Sequence, residues 1–154
     1  MALALTSLAF GQGERIPKKY TADGENISPP LRWSGTPDET GSFVLLCNDP
    51  DAPGGIFRHW AVYDIPADRL ELKEGHGPET LRDGLKQAIN DFDRPGYSGP
   101  CPPEGDGAHR YHFRLMALSE PSLPLGPHAS CEEVEAAAAR HVCAETELVG
   151  LYER

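Results

Sequence analysis

Proline punctuates this chain too densely for long helices. Fifteen prolines and sixteen glycines are scattered through 154 residues. Each proline removes a backbone donor and fixes its own φ, so it ends a helix or confines a strand to an edge or a bulge. The segments between such breakers are short and rich in apolar and β-branched residues, a pattern of many strands joined by loops, not of disorder. Strands are expected over residues 3–10, 42–47, 56–65, 85–92, 109–118 and 146–152, with extended chain at 16–20 and 29–33 and a polar loop over 67–85. One segment differs. Ser130-Cys131-Glu132-Glu133 places a hydroxyl at an N-cap and Glu at N3, a capping box, ahead of an alanine-rich run to about His141. The expected fold class is mainly β, one domain over 1–154, with a peripheral helix near 130–142, and the length suffices for a true core.

Two Pro/Gly loops each run into a strand that carries histidine. Asp49-Pro50-Asp51-Ala52-Pro53-Gly54-Gly55 precedes His59, and Gly99-Pro100-Cys101-Pro102-Pro103-Glu104-Gly105-Asp106-Gly107 precedes His109 and Tyr111. Side chains at i and i+2 of a strand share a face, so His109 and Tyr111 project together, while His112 points the other way. The same alternation groups His59 with Ala61 and Tyr63, and Arg58 with Trp60, Val62 and Asp64. Loops of an antiparallel sandwich gather at its two ends. The two segments are therefore expected to meet and to assemble Asp49, Asp51, His59, His109 and Tyr111.

These residue types suit four readings. Histidine N–H groups, a tyrosine hydroxyl and loop amides are donors for an oxyanion such as phosphate, and a carboxylate on one imidazole nitrogen, a role expected of Asp49 and Asp51, fixes the tautomer and favours the charged ring. A zinc site would draw on the same histidines and aspartates, but no HxxxH, HExxH or CxxC spacing is present. A hydrolase would need Ser98 near a histidine, yet Gly96-Tyr97-Ser98-Gly99-Pro100 lacks the nucleophile-elbow pattern. The plainest reading makes Asp49 and Asp51 Asx-turn residues and the histidines core residues. His76, His112, His128 and His141 are assigned that plain role outright. Cys101 is expected to be a packed wall thiol, since nothing in the sequence near it lowers a thiol pKa.

The formal net charge of −10 disfavours nucleic acid and anionic membranes as partners. The run Met1–Phe10 lacks a basic n-region and a cleavage site, so it is read as a strand and not as a secretion signal, and no stretch approaches a membrane helix. None of Cys47, Cys101, Cys131 and Cys143 forms a CxxC. Cys131 and Cys143 would lie roughly 18 Å apart along the expected helix, beyond the about 7 Å a disulfide spans. Reduced thiols in a cytoplasm are expected.

Several motifs together resemble the phosphatidylethanolamine-binding proteins, also called Raf kinase inhibitor-like proteins, and their small bacterial and archaeal branch above all. They are Asp49-Pro50-Asp51-Ala52-Pro53, His59-Trp60, Gly99-Pro100-Cys101-Pro102-Pro103 and His109-Arg110-Tyr111, supported by Ile16–Thr21, Ile27–Leu31, Asn90-Asp91-Phe92 and Leu148–Tyr152. The resemblance implies a large antiparallel sheet flanked by a smaller one. It also implies a small cavity for phosphate, acetate or a phospholipid head group. By motif position that cavity falls on Asp49, Asp51, Pro53, His59, Pro102, His109 and Tyr111, with the backbone of Gly99 to Cys101 beside it. It implies no cofactor, and a homodimer such as is described for bacterial relatives. Phe57 stands where many members have tryptophan. No counterpart of the C-terminal region that helps gate the pocket in eukaryotic members is expected after Tyr152. The expected function is small-anion binding without catalysis. Regulation of a protease or kinase partner and low-rate hydrolysis are the alternatives.

Overall fold

The computed structural model describes residues 2–75 and 85–154. His76 and about half of the polar loop expected over 67–85, residues 76–84, lie outside the described residues. Among the described residues the strands are β1 (Ala4–Thr6), β2 (Leu31–Ser34), β3 (Ser42–Asp49), β4 (Phe57–Pro66), β5 (Glu71–Leu72), β6 (Lys86–Gln87), β7 (His109–Leu118) and β8 (Val142–Tyr152), with one α-helix, α1 (Cys131–Ala138). They form an antiparallel sheet in the order β6-β4-β3-β7-β8 and a smaller antiparallel sheet β1-β2-β5.

The large sheet is apolar on both faces. Along β3 every residue is buried, as its continuous apolar run requires. Phe43, Leu45 and Cys47 face the small sheet, packing with Trp60, Phe113, Leu115, Leu31 and Trp33. Val44 and Leu46 face the opposite way, toward Met116, Cys131, Val134 and Ala138 of the helical side. The result is three layers: small sheet, large sheet, helix.

Several expected elements change length. The strand over 3–10 shrinks to β1, and that over 85–92 to β6. Residues 18–20 form a 3₁₀ turn instead of extended chain. The helix stops at Ala138, so Cys143 lies in β8 and not on the helix. All four cysteines are free thiols. β8 begins earlier than expected because Val142–Glu145 pair with the far end of β7, tertiary pairing that no local signal announces.

Strict alternation fails along β4 at two β-bulges. Cys47 pairs with Trp60 and Asn48 with Arg58, which leaves His59 as an extra residue. Arg58 therefore turns to the helical side, where its Nε lies 3.5 Å from Glu135. His59 joins Trp60 on the opposite side, not Ala61 and Tyr63. The second shift, between Phe43 and Leu45, falls at Asp64, whose φ of 56° is in the left-handed region. Asp64 accepts from the Leu123 amide at 2.9 Å and from Lys86 at 2.8 Å.

The capping box is formed as expected. Ser130 Oγ accepts from the Glu133 amide at 3.1 Å, and Glu133 Oε1 accepts from the Ser130 amide at 3.0 Å. Ser130→Ala should lower stability by about 1 kcal/mol, read as a shift of the denaturant midpoint at unchanged m-value.

Candidate functional site

Asp49, the last residue of β3, ties the two loops together. Its Oδ1 accepts from the Asp51 amide at 2.8 Å, an Asx turn that sets the first loop. Its Oδ2 accepts from His109 Nδ1 at 2.7 Å at the start of β7. The other nitrogen of His109, Nε2, meets Asp106 Oδ2 at 2.6 Å. Burial opposes charge on this ring, but hydrogen bonds to Asp49 and Asp106 outweigh it and raise the pKa above the ordinary 6.5. A carboxylate on each nitrogen favours the imidazolium form.

His59 is the opposite case. Its Nδ1 donates to the Ser98 carbonyl at 2.7 Å. Its ring sits 4.9 Å from Phe57, 5.6 Å from Phe92 and 5.4 Å from Tyr111, centroid to centroid. Burial pushes its pKa below 6.5. The ring is neutral near pH 7, and the tautomer fixed by Ser98 leaves Nε2 as an acceptor.

Tyr111 is fully buried, and its hydroxyl has no hydrogen-bond partner among the described residues. Burial, and then the charge of Asp49, push its pKa far up. Asp49 lies close enough to act on the phenol, although no Tyr111–Asp49 hydrogen bond of standard geometry is formed. The hydroxyl keeps its proton and remains a donor in want of an acceptor.

These groups line a cavity of about 180 Å³. Asp49, Ala52 and Pro53 line it from the first loop, and Cys101, Pro102 and Pro103 from the second. Phe57, His59 and Phe92 line it as well, with His109 and Tyr111 from β7. The prolines make the loop walls rigid. Among the expected site residues, Asp49, Pro53, His59, Cys101, Pro102, His109 and Tyr111 are thus brought together.

Asp51 and Gly99 are not on this cavity. Asp51 orients no histidine: its carboxylate takes Arg110 in a fork, with Oδ1 to Nη2 at 2.8 Å and Oδ2 to Nε at 3.0 Å and to the amide at 2.9 Å. The Arg110 hydrogen bond holds its pKa at about 2. Asp51 thereby pins the first loop to β7. Gly99 lies instead on a neighbouring cavity of about 260 Å³ that shares Phe92 and Cys101. Its amide is committed to Asn26 Oδ1 at 2.7 Å. A Cβ there would stand 2.3 Å from the Tyr20 carbonyl oxygen, so only glycine fits this close approach. Cys101 is an exposed wall residue and not a packed one, with its sulfur 3.6 Å from Arg154 Nη1.

The hydrolase geometry is not assembled at Ser98. His59 reaches the serine's carbonyl, while the hydroxyl accepts from Asn90 Nδ2 at 3.0 Å. Among the described residues no group of three or more His, Cys, Asp or Glu is placed to hold a metal ion. Sequence reasoning did not assign Asp106 or Phe92 to the site. A carboxylate between Gly105 and Gly107, three residues before a histidine, was the available signal for the first.

A model of the phosphatidylethanolamine-binding protein family matches residues 6–153. The chain belongs to this family. Within it, the chain is 51% identical over 148 residues to the UPF0098 protein of Aquifex aeolicus, covering 96% of this chain and 86% of that one. It is 49% identical over 152 residues to the UPF0098 protein of Methanothermobacter thermautotrophicus, covering 97% and 98%. Among solved structures, Escherichia coli YbcL, described as a member of the mammalian family, matches with a TM-score of 0.95 at 33% identity, covering 100% of this chain and 99% of that one. The family homologue CT736 of Chlamydia trachomatis matches with a TM-score of 0.88 at 39% identity, covering 99% and 98%. The family fold expected from the motifs is therefore the fold observed.

The two cavity histidines should titrate on opposite sides of the ordinary value. Imidazole NMR is expected to give His59 a midpoint below 6.5 and His109 one above it. The stability due to His109 is complete below about 6.5. It is lost as pH rises through the raised folded pKa, and this alkaline loss should be absent in His109→Gln.

Proposed function

We propose that this family member binds a small phosphate-like oxyanion, free or as a phospholipid head group, in the cavity between the two loops. The buried, unpartnered Tyr111 hydroxyl carries this reading. Tyr111 lines the cavity, and its protonated hydroxyl, itself buried, lacks an acceptor among the described residues. His59 adds a requirement. As a neutral ring with Nε2 as acceptor, it suits a ligand that brings a proton of its own. The singly protonated form of a phosphate group meets both needs: an anionic oxygen for Tyr111 and a P–OH for His59. This revises the sequence-based picture of His59 as a donor. The cavity is smaller than the about 300–1,000 Å³ of sites that enclose drug-sized ligands, in keeping with a head group and not a whole lipid.

Binding without turnover is the reading favoured for Ser98, whose hydroxyl faces Asn90. The protein-partner alternative has one point of contact. The chain shares its fold, at a TM-score of 0.55 and 16% identity, with carboxypeptidase Y inhibitor, solved in complex with its cognate proteinase. A cytoplasmic location and a homodimer remain proposals that fractionation and sedimentation would test. Among the described residues no helix is long and apolar enough to cross a membrane.

Calorimetric titration with phenyl phosphate tests the reading. Tyr111→Phe, close to isosteric, should weaken binding by roughly tenfold, the worth of a hydrogen bond to a charged group. Wild-type affinity should fall between pH ~6 and ~8 as the ligand loses its second proton, whose pKa is about 6. Equal affinity for the wild type and Tyr111→Phe would defeat the assignment. Ester turnover in Ser98→Ala should match the wild-type background.

A further inference from the structure

His109 has no free N–H. Asp49 takes Nδ1 and Asp106 takes Nε2, so an anion entering the cavity meets a histidine already satisfied on both sides. The two carboxylates are not equivalent. Asp49 is buried, with a side chain 4% exposed, and its second oxygen is spent on the Asx turn. The Asp106 side chain is 40% exposed, and among the described residues its carboxylate has no hydrogen-bond partner other than His109. Its backbone belongs to a turn held by two long bonds, Asp106 N–H to the Pro103 carbonyl and Gly105 N–H to the Arg154 carbonyl, each at 3.2 Å. Gly105 and Gly107, at φ of 78° and 83°, flank it on both sides with open space around each. Such a segment can swing outward without disturbing the packed sheet behind it.

We propose that Asp106 is an internal stand-in for the ligand. Its carboxylate occupies the position on His109 Nε2 that an incoming oxyanion takes over, and binding releases the Gly105–Gly107 turn. This inference rests on the oxyanion reading of the cavity and adds its regulation. Three observations carry it: the 2.6 Å bond to Nε2, the paired left-handed glycines, and the contrast in burial between the two carboxylates. The exchange makes chemical sense. An imidazolium N–H with a carboxylate partner keeps its charge in the empty protein, and an oxyanion with the same charge-assisted bond replaces that partner without stranding the ring. The ligand then bonds both rings on this wall, His109 and Tyr111, which lie nearly parallel at 25° with centroids 6.4 Å apart. The cost of displacing Asp106 sets a threshold: weak or poorly shaped anions do not dislodge it.

The test uses inorganic phosphate and the full chain at pH 6.5, with calorimetry on the wild type, Asp106→Ala, Asp106→Asn and Glu104→Gln. Removal of the competitor should tighten binding by roughly fivefold or more in both Asp106 variants, as loss of a hydrogen bond worth about 1 kcal/mol implies. Glu104→Gln removes the same charge from the same loop without touching His109, and should change affinity by less than about twofold. In the wild type, phosphate should shift the amide resonances of Gly105 and Gly107. Equal or weaker binding by the Asp106 variants overturns the inference while leaving the oxyanion reading intact. So does an equal gain in Glu104→Gln, or glycine resonances that do not move. If neither the wild type nor the Asp106 variants bind phosphate, the oxyanion reading itself falls, and the inference with it.

Discussion

The carboxylate of Asp49 is the joint on which the site depends. One oxygen closes the Asx turn that aims the Pro50–Gly55 loop, and the other holds the imidazole of His109 from a strand that begins 60 residues later. A buried charge is tolerated only when it is paired and hydrogen-bonded. Here one pairing has structural and electrostatic effects together. It fixes the orientation of His109, supports its proton, and raises the field at Tyr111 so that the phenol stays neutral. Replacing Asp49 would therefore leave His109 with only the exposed Asp106, release the first loop, and alter three side chains at once.

The position of this joint follows from the layers behind it. β3 is buried on both faces and paired on both edges, so it has no freedom to slide. Its end presents Asp49 at a fixed height, between His59 on one neighbour and Tyr111 on the other. The bulge at His59 is what makes that triad share a face. It turns Arg58 toward Glu135 on the helical side and His59 toward the cavity. Two histidines in one small cavity then shift their pKa in opposite directions for plain reasons: one faces aromatic rings and a carbonyl, the other two carboxylates.

Much of this was legible in the residues. Proline spacing separated strands from loops, the strand over 109–118 was bounded correctly, and Ser130 with Glu133 announced the helix. The pairing of two Pro/Gly loops, each leading into histidine, pointed to the cavity before any coordinates. What stayed hidden depended on partners distant in sequence. Nothing local announces the bulge that turns Arg58 toward Glu135, so alternation misplaced His59. The assignment of Asp51 to a histidine failed for a similar reason, because Arg110 offers a forked donor set that a carboxylate prefers. β1 and β6 are shorter than their apolar patterns; past β6 the amides of Ala88, Ile89, Asn90 and Asp91 bond to Ala61, Ala129, Arg94 and Arg58 in turn, so the chain there is held by scattered bridges and not by one ladder.

The 60-residue separation between Asp49 and His109 also bears on how the chain folds. Local hairpins can form early, but this contact must await the pairing of β3 with β7, after a long loop has closed. The cavity thus exists only in the completed sheet, and a chain stalled before that step has nothing to offer a ligand. Any molecule held there draws the folding equilibrium toward the finished state in proportion to its concentration. Occupancy and conformational lifetime in the cell become linked through a single strand pairing.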